Sequence, residues 1–89
     1  MTPEHLALIA ASRSALLTAL CDSEKFHREH RAACLQLSRA AHHALSLTVT
    51  LERGSLAQQA DYARLLECQM VSVRACQAAL NTLTRRIRQ

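Results

Sequence analysis

One glycine and one proline in 89 residues leave this chain very few places to turn. An average chain of this length carries roughly ten of the two combined. A sheet needs a turn every few residues, whereas a helix needs a break only at its ends. The remaining composition points the same way. Ala and Leu supply most of the apolar content, with one Phe, one Tyr and no Trp, so the aromatic residues that favour strands are nearly missing. The sequence therefore predicts an all-α fold, and its length predicts a single helical domain over residues 1–89, small for a self-sufficient core.

Capping residues divide the chain into three predicted helices. Thr2 is a good N-cap, Pro3 fits the first helical position and Glu4 the first turn, which starts a helix running over about 3–21. Its apolar positions are Leu6, Ile9, Leu16, Leu17 and Leu20. Asp22 or Ser23 can cap a second helix, over about 23–53, whose core-facing series reads Phe26, His30, Ala33, Leu37, Ala40, Ala44, Leu47 and Leu51. Gly54 is expected to end it in the left-handed conformation. Ser55 and Gln58 fit a capping box for a third helix over about 55–88. Its stripe is Tyr62, Leu66, Val73, Cys76, Leu80, Leu83 and Ile87, with Met70 flanking. Two helices of about thirty residues joined at one Gly predict a long antiparallel hairpin. The shorter N-terminal helix then lies along the hairpin or extends from it, and the whole can pair into a dimeric bundle.

This pattern holds more apolar faces than a hairpin can bury. Leu35, Leu45 and Val49 lie off the main seam of the second helix, and Leu65 and Val71 off that of the third. Leu45, Val49, Leu65 and Val71 are the candidate partner-binding residues, forming a face that meets another helix from a second copy or from a different protein.

Reactive chemistry is sparse. His27, His30 and Cys34 share one face of the second helix, and the hairpin places Cys76 opposite Cys34. Zinc sites use such ligands in fours. However, no Cys-x-x-Cys and no His pair at i, i+4 is present, and Arg74 stands nearby. Cys34 and Cys76 are therefore expected to be reduced, buried and free of metal, as small hydrophobes. The seven acidic residues are scattered over helical surfaces. No nucleophile has an orienting group or an oxyanion hole, so neither an enzyme nor a cofactor is expected. The net charge of +4 comes mainly from dispersed Arg, clustered only at Arg85, Arg86 and Arg88. Without aromatic platforms or a helix-turn-helix pattern, nucleic-acid binding is not expected either. The N-terminus lacks a secretory pattern, and no uninterrupted apolar run reaches the roughly 20 residues of a membrane span. The expected location is the cytoplasm, with no membrane association.

The stretch from about Leu35 to Leu83 has a helix ending in Arg53-Gly54, then Tyr62, then Leu65 and an Ala/Leu/Val stripe. It resembles the small co-chaperones of type III secretion needle subunits. The resemblance implies a short helical hairpin that helps keep a needle subunit soluble in the bacterial cytoplasm. On that basis the expected function is to bind and mask a partner's apolar helix. The alternative is a homodimeric helical regulator or inhibitor that docks on an enzyme or nucleic-acid complex through its Arg-bearing faces.

Overall fold

A computed structural model describes the backbone through Arg88 and the side chains through Arg85. The fold is all-α, with three helices, α1 (Pro3–Lys25), α2 (Arg31–Arg53) and α3 (Leu56–Arg88). At the start of α1 the Thr2 hydroxyl accepts the His5 backbone N–H at 3.1 Å, with Pro3 opening the helix and Glu4 in its first turn. Lys25 lies in the last turn, where a cation complements the negative helix end.

The first break differs from the sequence expectation. α1 runs on through Lys25, because both residues expected to cap the next helix are engaged elsewhere. The Ser23 hydroxyl donates to the Leu20 carbonyl at 2.9 Å, and the Asp22 carboxylate accepts the Gln77 side-chain amide of α3 at 2.9 Å. The chain turns instead over 26–30, closed by the His30 N–H on the Phe26 carbonyl at 3.0 Å. Phe26 packs against the core from this turn. His30 stands at the N-cap of α2 and makes no side-chain capping bond.

The second break falls at Gly54, but not in the left-handed conformation. Gly54 has φ −70° and ψ 158°, ordinary extended backbone. The Ser55 carbonyl accepts the N–H groups of Gln58 and Gln59, which starts α3, and the Gln59 side chain donates to the Gly54 carbonyl at 3.4 Å. α3 packs against α2, where the Gln69 side chain donates to the Ala40 carbonyl at 3.2 Å.

α2 is the central element, in contact with both neighbours along its length, while α1 and α3 meet only sparsely. Its buried side chains are Cys34, Leu37, Ala41, Ala44, Thr48 and Leu51, and Ala33, Ala40 and Leu47 are half-buried. Covering α2 from two sides widens its buried arc toward α1, which brings in Cys34, Ala41 and Thr48. α1 contributes Ile9, Ser12, Leu16, Ala19 and Ser23, while Leu6 and Leu17 stay exposed. In α3, Leu66, Val73 and Leu80 are buried as the stripe predicts. Met70, expected at its flank, is fully buried, and Tyr62 and Cys76 are only partly covered. The side chain of Ile87 lies outside the described residues. The molecule measures 48 × 18 × 17 Å, a rod whose length is set by the 33 residues of α3.

Candidate interaction surface

The seam between α1 and α2 is fixed near one end by a polar clamp. The Arg13 guanidinium pairs with the Glu52 carboxylate, and its Nε donates to the Thr48 hydroxyl at 3.4 Å. Thr48 is wholly buried and donates in turn to the Leu45 carbonyl at 2.6 Å. Toward the other end, Leu20, Ser23, Glu24 and His27 line a groove of about 430 Å³ together with Cys34, Leu35, Ser38 and His42. Between these two fixed points the register sets Leu17 level with Leu45.

Two rows of side chains border this seam. Leu6, Ala10, Arg13, Leu17, Leu20 and Glu24 follow alternating steps of four and three on α1. On α2, Leu35, Ser38, His42, Leu45, Val49 and Glu52 follow the same rule, which keeps one helix face turned toward a neighbour over many turns. His42 lies two residues, or about 200°, around α2 from Ala40, whose carbonyl meets α3. The α2 row therefore faces away from α3. Leu17 is 66% exposed and Val49 39%, with Leu6 and Leu35 exposed as well.

The structure divides the four residues expected to form one partner-binding face. Leu45 and Val49 are one turn apart on the α2 row, with Leu45 half-buried against the core and Val49 at its margin. Leu65 and Val71 are exposed on α3, at 52% and 64%. Six residues apart, they point about 120° from each other and belong to no common face. The expectation that all four form one surface missed the role of α1, which puts Leu17 beside Leu45 and Val49. The seam rows were legible in the three-four spacing of both helices. Which helix each row adjoined was not.

All four cysteines are free. Cys34 is buried, and its thiol is pushed above the usual range, first by burial and then by the charges of Glu29 and Asp22. A thiol held protonated is a poor nucleophile. His42 donates from Nδ1 to the Ser38 carbonyl at 2.7 Å, which leaves Nε2 as an acceptor toward the seam. Among the described residues, no three His, Cys, Asp or Glu side chains gather as a metal-binding group. The Nε2 of His30 is buried without a hydrogen-bond partner.

α1 also changes one sequence expectation. No uninterrupted apolar run reaches membrane length, yet averaged along the helix α1 is long and apolar enough to cross a membrane, by length and composition. Most of that stretch is exposed. Comparison with protein families, curated proteins and solved structures finds no match to this chain.

Proposed function

We propose that this chain is a small, non-catalytic helical interaction module that receives an apolar helix along the α1–α2 seam. In this reading α2 and α3 act as an antiparallel hairpin, and α1 supplies the second rail of the docking surface. The observation that carries it is the exposure of Leu6, Leu17, Leu35 and Val49 in two adjoining rows with coiled-coil spacing. Apolar side chains scattered singly are ordinary surface, but Leu17, Leu20, Leu45 and Val49, set side by side from two helices between the Arg13–Glu52 pair and the polar Ser38 and His42, have the form of a helix-binding groove. Leu45 and Val49 belong to this surface, and Leu17 joins them.

The concrete form of this function is a cytoplasmic bacterial co-chaperone of a type III secretion needle subunit. It follows from the resemblance over Leu35–Leu83, a stretch that includes the whole α2 row from Leu35 to Val49. Needle-subunit masking is tested by co-expressing a needle subunit with the tagged full chain and asking whether it stays soluble and co-purifies. Binding through the seam is tested by capture from extracts of the source cells with wild type, Leu17→Glu, Val49→Glu and Val71→Glu. The expected result is a partner, or untagged copies of the chain itself, lost in the first two variants and kept in Val71→Glu. Retention in Val49→Glu with loss in Val71→Glu would place binding on α3 and sink the seam.

A second reading rests on the exposed guanidinium groups of Arg28, Arg31, Arg39, Arg64 and Arg74. A regulator docking through them would lose affinity steeply as salt rises, whereas an apolar seam would not.

A further inference from the structure

We propose that the occupant of the seam is a second copy of this chain, laid seam on seam by a two-fold rotation. This rests on the seam being an interaction surface, as argued above, and names what fills it. The first argument is area. A compact monomer of 9.9 kDa is expected to expose about 5,200 Å². This chain exposes 5,997 Å², an excess of about 800 Å², which is about what one partner hides in an interface of standard size. Its radius of gyration, 14.3 Å, likewise exceeds the roughly 12 Å of a compact chain of this length.

The second argument is self-complementarity. Each copy carries +4, so contact between copies is favoured where like charges stay out of the way. The α2 row carries no Asp, Glu, Lys or Arg from Leu35 to Val49. Arg13, at the edge, is already held by Glu52. The polar side chains in mid-row are Ser38 and His42, one turn apart. Within each copy the Ser38 hydroxyl oxygen lies 3.3 Å from His42 Nδ1, so what remains open to a partner is the hydroxyl proton and the His42 Nε2 acceptor. A two-fold axis passing between these positions sets the Ser38 of each copy against the His42 of the other, so both polar groups are satisfied by one symmetric contact. A partner with a purely apolar helix would leave them unpaired, at a cost when water is excluded.

The test is sedimentation equilibrium of the full chain from about 1 µM to 1 mM, with far-UV circular dichroism as the check on folding. Wild type and Val71→Glu should be dimers that dissociate on dilution. Leu17→Glu and Leu35→Glu should raise the dimer Kd at least about 100-fold with helicity retained, since this axis sets Leu35 against Leu45 of the other copy and a symmetric interface contains each new charge twice. His42→Ala, which adds no charge, should raise it about tenfold and guards against misfolding of the Glu variants. A wild type that stays monomeric at 1 mM overturns self-pairing, as does a dimer that survives both Glu substitutions. A monomer that cosediments with phospholipid vesicles overturns it in favour of a lipid surface. Where wild type is monomeric but still captures another protein in a Val49-dependent way, self-pairing fails and the module reading stands. Where that capture is missing too, both fail.

Discussion

Gly54 joins α2 and α3 at φ −70°, a value any L-residue adopts, so its lack of a side chain serves a close approach. A Cβ built there would lie 3.1 Å from the Thr50 carbonyl oxygen. Replacing Gly with L-Ala in an accessible conformation gains about 0.4–1 kcal/mol from the unfolded chain, and that tight contact offsets part of it. Stability of Gly54→Ala should therefore stay within about 1 kcal/mol of wild type in urea melts. A synthetic chain with D-Ala at this position should lose at least about 1 kcal/mol, because the D-residue disfavours negative φ. A D-Ala protein as stable as the L-Ala one would restore the left-handed turn. Cys34 gives a pH-dependent expectation. Its thiol pKa is raised in the folded protein, so the native state holds the proton more tightly than the unfolded chain. That contribution is fully present below the ordinary thiol pKa of about 8.5 and is lost as pH climbs through the raised value. Stability should fall more steeply above pH 9 in wild type than in Cys34→Ala, and parallel curves for the two proteins would contradict the burial of the thiol.

At the scale of whole elements, what could be read in advance depended on where the signal lay. The start of α1 and the join between α2 and α3 are set locally, by Thr2-Pro3-Glu4 and by Gly54-Ser55, and the observed helices begin and end within a residue of those signals. The α1–α2 break is set at long range. Phe26-His27-Arg28-Glu29-His30 contains no Gly, Pro or Asn, and the turn forms there because Phe26 reaches the core and Asp22 binds Gln77. The candidate surface was half legible for the same reason. The Leu45–Val49 half follows from α2's own periodicity, but the Leu17 half depends on where α1 docks, which the Arg13–Thr48–Glu52 clamp decides. The uncapped start of α2 is correspondingly improvable. His30 offers no capping bond and buries an unpaired Nε2. His30→Asp supplies an acceptor for the free N–H groups and a negative charge at the positive helix end, and should stabilise by about 0.5–1 kcal/mol. An unchanged or lower denaturation midpoint would mean that the ring earns its position by packing.

Across the whole molecule, stability is unevenly distributed, and the least secure part is the rail that the proposed function needs. α2 is held by a helix on each side, but α1 rests on α2 and barely meets α3. The large apolar side chains that α1 buries are Ile9 and Leu16, whereas α3 alone contributes Leu66, Met70, Val73 and Leu80. Its polar ties are partly exposed: the side chains of the Arg13–Glu52 pair are 39% and 50% accessible, so the pair adds little in water. α1 should therefore open more easily than the rest, and native-state hydrogen exchange should show its amides less protected than those of α2 near Leu37–Leu51. Binding along the seam covers Leu17 and stabilises only the docked form of α1, so its protection should rise with protein concentration if copies pair, or on adding a bound partner. The α2 amides at the α3 contact should gain less, since their opening requires most of the molecule to unfold. Equal protection of α1 and α2 in dilute protein, unchanged by concentration or partner, would make α1 an integral core helix and leave the exposed rows as plain surface.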